Sequence, residues 1–194
     1  MAGPVTRARL LDIAQELVQT RGYNAFSFRD LADRVGIRAP SIHHHFPSKA
    51  ELGRRLMARY RERFGELLAE IESKIRDPRK RLDRFVGLFR ATFRQGNRLC
   101  LCGMLATEYA TLPRPVRVEV NAFYRETEKW LQRTFAAGRA SRRLKFAGTP
   151  ASAARTFFGA LEGAMIAARA FKDEKRLTAA GNWLIQGLGR GRIA

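Results

Sequence analysis

The chain has 194 residues, 45% hydrophobic and 28% charged, enough for a substantial core in one or two globular domains. Lys plus Arg outnumber Asp plus Glu by 37 to 18, a formal charge of +19, which points to an anionic partner, nucleic acid ahead of a membrane surface. No apolar run approaches the roughly 20 residues of a membrane span, the stretch 1–10 is too charged for a signal peptide, and Cys100-Leu101-Cys102 is no disulfide framework, so a cytoplasmic protein without a membrane partner is expected.

In chain order, Leu10, Ile13, Ala14 and Leu17 recur at helical spacing up to Arg21-Gly22, a basic last turn followed by a stop glycine. Ser27 caps a second, short helix with Asp30 three residues on, and Phe28, Leu31, Ala32 and Val35 form its apolar face as far as Gly36. Pro40 suits the first turn of a third helix, which is expected to run into Phe46-Pro47. Ser48-Lys49-Ala50-Glu51 reads as a full capping box opening a long fourth helix. Beyond it Asp77-Pro78, Thr149-Pro150 and Asp173 start further helices, Pro113 and Pro115 interrupt, and no alternating strand pattern occurs. The expected fold is all-α, about nine helices, with a three-helix amino-terminal domain over 1–48 and a larger helical body over 49–194.

Helix two, the turn at Gly36-Ile37 and helix three make a helix-turn-helix. His43, His44 and His45 are the only three histidines. On a helix successive side chains fan out by about 100°, so three in a row cannot close on one metal ion, and no nucleophile or partner acid stands beside them for catalysis. With Ile42 at the origin of the helical wheel, Phe46 falls near 40°; the buried face lies between them, His44 points outward, and His43 and His45 flank it. Pro40 and Ser41 share the outward side.

This segment resembles the DNA-binding domain of the tetracycline-repressor (TetR) family of bacterial transcriptional regulators. The likeness rests on Gly22-Tyr23, Phe28-Arg29-Asp30-Leu31-Ala32, Val35-Gly36-Ile37, Ser41-Ile42, His45-Phe46 and Ser48-Lys49, about the first quarter of the chain. It implies a homodimer that binds a palindromic double-stranded DNA operator and releases it when a small-molecule effector occupies the carboxy-terminal domain. His43 stands where the family often has a tyrosine touching phosphate. The DNA-binding residues expected are Ser27, Arg29, Arg38, Pro40, Ser41, His43, His44 and Lys49, with Lys49 at the first turn of helix four holding a phosphate.

In the larger body Phe89, Phe93, Met104, Tyr109, Phe123 and Trp130 are candidates for an apolar ligand pocket, with Arg90, Arg94, Glu108 and Tyr109 as possible polar handles. Phe157, Ala160, Ala164 and Ala168 on the penultimate helix, and Trp183, Leu184 and Leu188 on the last, are candidates for a dimer interface, and Gly159-x-x-x-Gly163 allows close helix packing. Gly187-x-Gly-x-Gly191 follows a helix and reads as a basic tail, not a phosphate loop. Cys100 and Cys102 resemble a segment of family members that release DNA on thiol modification, with Arg98 near enough to favour a thiolate and Gly103 at a loop-to-helix junction. No enzyme activity, cofactor or metal site is expected. A non-specific nucleic-acid binder would account for the charge but not for the helix-turn-helix beside a separate helical body.

Overall fold

The computed structural model describes residues 7–189; the stretch 1–6 and the basic tail beyond Gly189, including Gly191, lie outside them. Among the described residues the chain forms nine α-helices: α1 Arg7–Arg21, α2 Phe28–Val35, α3 Ala39–His43, α4 Lys49–Lys74, α5 Pro78–Phe93, α6 Leu101–Thr107, α7 Arg114–Ala140, α8 Pro150–Ala170 and α9 Glu174–Gly187. A single 3-10 turn, Tyr109–Thr111, sits between α6 and α7, and one isolated antiparallel bridge joins Lys145 to Gly189. No described helix is long and apolar enough to cross a membrane.

The helix starts are set by side chains that satisfy orphan N–H groups. Ser27 accepts from Asp30 N while Asp30 accepts from Ser27 N, a reciprocal capping box. Thr149 forms another with Ser152, and Asp77 and Asp173 cap α5 and α9. At α4 only half of the expected box forms: Glu51 N donates to Ser48 Oγ at 3.2 Å, but the Glu51 carboxylate is held by Arg54 and Arg55 at 2.8–2.9 Å. Two charged donors one turn ahead outcompete a backbone amide behind. They also hold the Glu51 carboxyl down to about 2, the Arg54 hydrogen bond being the larger cause.

The chain divides into two compact units that do not follow the expected 48/49 boundary. The first comprises 1–62 together with 101–123. Its core is Leu10, Leu17, Leu31, Ile42, Phe46, Leu52 and Leu56, all essentially without exposure. Gly53 lets α4 approach Tyr23 and Val116 so closely that a Cβ would stand 2.8 Å from the Tyr23 ring. Chain-distant polar contacts tie the unit together. Glu108, just after α6, accepts from the backbone N–H of Tyr23 at 2.6 Å and of Asn24 at 3.3 Å, capping the turn after α1 where Gly22 takes φ +101. Arg59 of α4 pairs with Asp12 of α1 at 2.9 Å.

The second unit, 63–100 with 124–194, is built on an aromatic core. Phe85 of α5 lies at its centre, stacked on Trp130 at 5.9 Å and edge-on to Phe64 and Phe158. Phe89 and Tyr124 close on Phe158, and Phe135 on Phe157 and Phe146. Such rings bury large apolar areas, each worth roughly 1.5–3 kcal/mol. Gly181 seats α9 against α5, where a Cβ would stand 2.5 Å from Val86 Cγ1.

Candidate functional site

The helix-turn-helix is positioned by its turn. Gly36 takes the left-handed conformation (φ 78, ψ 37), and its N–H and that of Ile37 both reach Ala32 O, at 2.8 and 3.1 Å. Small Ala32 sits under this crossing. Helix α3 is shorter than expected: regular helix ends at His43, and His45 N and Phe46 N both turn back to Ile42 O at 2.9 and 2.8 Å. Ile42 and Phe46 are fully buried, so the anchor of the helical-wheel reading holds. Around them Pro40, Ser41, His43 and His44 are exposed and His45 is half-buried. His43 leans on Phe28, ring to ring at 4.9 Å, while the His45 carbonyl accepts from Arg7 at 3.0 Å.

Arg29 and Arg38 are exposed at the first turn of α2 and at the start of α3. Two other members of the expected set are committed elsewhere. The Ser27 hydroxyl is taken up by Asp30, to which it donates at 2.5 Å while capping α2; these contacts hold the exposed Asp30 carboxyl below its usual range. Lys49 turns inward. Its ammonium stands 4.7 Å from the Tyr23 ring centre and 4.6 Å from that of Phe26, and it donates to the Phe26 carbonyl. Burial pulls its pKa below the usual lysine value. A desolvated cation over two aromatic faces braces the α1–α2 connection, so the outward phosphate-holding role expected of Lys49 is not the one its geometry serves. Tyr23 and Phe26 are remote in sequence, and nothing local to Ser48-Lys49 signals them.

The six pocket candidates divide between the units. Phe89, Phe93 and Trp130 are buried in the second; Phe123 is buried and Met104 half-buried in the first. Tyr109 is corrected to a surface residue, 37% exposed, with its hydroxyl accepting from Asn121 at 2.8 Å and Arg117 over its ring. The polar handles are also engaged: Arg90 donates to Asn182 at 2.8 Å, Arg94 pairs with Glu174 at 2.7 Å, and Glu108 caps the turn after α1.

A buried acidic residue of α8 is the more telling one. Glu162 of α8 is 8% exposed, its Oε1 has no hydrogen-bond partner among the described residues, and burial pushes its pKa up to about 7 against a weaker opposing hydrogen bond with Cys100. Trp130 Nε1 is likewise buried without an acceptor. The signal was present in Phe158, Glu162 and Met165, where an acidic residue falls at helical spacing within an apolar face. Cys100 and Cys102 are 4% and 0% exposed. Cys100 N donates to Met165 Sδ at 3.2 Å, and the Cys102 thiol meets Val120 O at 3.8 Å. Gly103 is inside α6, not at its junction, which falls between Cys100 and Leu101.

Of the dimer candidates, Phe157 and Ala168 are buried in their own unit, as is Leu188; Phe157 packs on Phe85 and Phe135. The exposed face of α8 runs instead through Gly159, Gly163 and Ile166, with Ala160 and Ala164 half-buried beside it. A Cβ on either glycine would meet nothing within 4 Å. On α9 Trp183 is 73% exposed and Leu184 half-buried. Both line an apolar groove of about 380 Å³ with Phe135, Phe146 and Phe157.

A capped helix-turn-helix with an exposed, Arg-flanked second helix, in a chain that also builds a separate aromatic helical unit, defines the class of helix-turn-helix regulatory proteins. Family models match both parts: bacterial regulatory proteins of the tetR family over 10–56, and the tetracyclin repressor-like C-terminal domain over 78–184. The chain belongs to the TetR family. It is similar to the HTH-type transcriptional repressor KstR2 of Mycobacterium tuberculosis H37Rv, 35% identical over 95 residues, 48% of this chain and 46% of that protein. The match therefore spans about half the length of that relative. A TetR-family transcriptional regulator from Agrobacterium tumefaciens superimposes with TM-score 0.91 at 35% identity, covering 94% of this chain and 96% of that one. A TetR regulator from Legionella pneumophila gives 0.87 at 27%, covering 97% and 100%.

Proposed function

We propose that this chain is an effector-responsive, sequence-specific transcriptional repressor that binds a palindromic operator as a homodimer. Residues 1–48 read the DNA, and 49–194 bind the effector and a second copy. The observation that carries the reading is the exposure of Pro40, Ser41, His43 and His44 around the buried anchors Ile42 and Phe46. That arrangement presents a short helix whose outer side chains are free to meet base edges, with Arg29 and Arg38 beside it for phosphates. The α8 face through Gly159, Gly163 and Ile166, with room for a closely approaching helix, supports the second copy.

The test is selection of bound DNA from a random pool with the full chain. An inverted repeat is expected, its half-sites separated by roughly 34 Å or a multiple of it. A pool that returns no symmetric sequence overturns the reading. The thiol-responsive alternative is the weaker one: both cysteines are buried, away from a modifying reagent.

A further inference from the structure

Three buried side-chain atoms of the second unit have no hydrogen-bond partner among the described residues: Glu162 Oε1, Trp130 Nε1 and the Nε of Arg90, whose guanidinium is otherwise held by Asn182 at 2.8 Å. Glu162 offers a carboxylate oxygen, and Trp130 an indole N–H, each buried with no partner among the described residues. Trp130 belongs to one set of rings, and Glu162 follows a member of that set by one helical turn. Trp130 stacks on Phe85 at 5.9 Å; Phe85 and Phe89 each lie 6.2 Å from Phe158; and Phe158 is one turn before Glu162 on α8. Tyr124 closes on Phe158 at 5.2 Å. By contrast, Thr134 Oγ1 donates to Trp130 O at 3.1 Å, and Cys100 N to Met165 Sδ. Orphaned buried donors and acceptors are unfavourable and rare, and an acceptor and a donor flanking one aromatic wall is the arrangement of a ligand site with a few orienting polar groups.

We propose that Glu162 and Trp130 are the polar contacts of the effector site, and that the effector is a lipophilic arylalkylamine whose ammonium meets Glu162 and whose ring lies on the Phe85–Phe158 wall. The assignment rests on the effector-responsive reading above. A cation is favoured over a neutral donor on two grounds. Among the described residues no lysine or arginine acts on the Glu162 carboxyl, where Cys100 contributes beside burial, so a ligand cation would supply a counter-charge. The surrounding ring faces attract cations as well. Trp130 would serve an acceptor at the other end of the ligand.

The experiment uses three probes of one shape, 1-naphthylmethylamine, 1-naphthalenemethanol and 1-naphthoic acid, titrated calorimetrically into the full chain and, separately, into its complex with a selected operator. The amine is expected to bind at least about tenfold more tightly than the alcohol or the acid. Glu162→Gln should remove that preference, and Trp130→Phe, which keeps the ring and deletes the N–H, should leave the amine preference in place. Equal binding of the three probes, no binding by any of them, or an amine preference that persists in Glu162→Gln overturns the proposal. Amine binding through Glu162 without release of operator would leave the site standing and refute its role as the effector site. Operator release by a different ligand whose affinity is the same in Glu162→Gln would do the reverse.

Discussion

Replacing Glu162 with Gln keeps the shape of the side chain and deletes its titration. In the folded chain the carboxyl ionises near 7, against an ordinary 4.5, and it is buried, so solvent does not screen the difference. Between those two values the folded state holds a proton that the unfolded state has released. Stability must therefore fall as pH rises through this window and level off above it. Each tenfold in proton affinity is about 1.4 kcal/mol, which gives a loss of roughly 2–3 kcal/mol per protomer between pH 5 and pH 8. Urea unfolding of wild type and Glu162→Gln at fixed protein concentration, at pH 5, 6, 7 and 8, isolates the effect: the wild-type slope should be steeper by that amount, and the curves should converge toward acid. Parallel curves would show that Glu162 is ionised and solvated in the folded state.

Lys49→Met should lower stability by about 1 kcal/mol through loss of the ammonium over Tyr23 and Phe26, while leaving the slope of log affinity against log salt unchanged; a flatter slope would return Lys49 to a phosphate. His44→Ala should change which operator variants bind best, whereas Arg38→Ala should weaken all of them alike and flatten the salt slope, as a competition series over a panel of operators would reveal. Gly159→Leu should shift the chain to monomer in sedimentation without altering its helical signal, because the added side chain meets nothing of its own chain; an intact dimer would move the interface off this face. Gly181→Ala should cost roughly 1–3 kcal/mol in thermal unfolding, since its Cβ would press on Val86.

The parts of the fold governed by neighbours in sequence were readable in advance. Ser27 with Asp30, Gly36, Asp77-Pro78, Thr149-Pro150 and Asp173 fix where helices start or stop. The outward turn of His43 and His44 followed from helical spacing about Ile42. What escaped depends on partners far along the chain. Lys49 is turned by Tyr23 and Phe26, Glu108 is claimed by Tyr23 and Asn24, and the Glu51 carboxylate is diverted by arginines that a capping pattern does not weigh. On α8 the apolar stripe was found, but spacing alone did not divide its two sides: Phe157 and Ala168 are buried within their own unit, Phe157 against Phe85, while Gly159 and Gly163 are exposed.

The Glu108 carboxylate bears on how such proteins can be recombined. Tyr23 N–H and Asn24 N–H find their acceptor some 84–85 residues downstream, and Val116 comes close to Gly53 in the same unit. A graft cut at residue 48 would carry the DNA-reading helices away with two backbone donors unmatched and without Leu52 and Leu56 of their core. Chimeric sensors made from this chain should tolerate a junction only if the recipient supplies an acidic residue at the Glu108 position and an apolar one at Val116, so the portable piece is a discontinuous one.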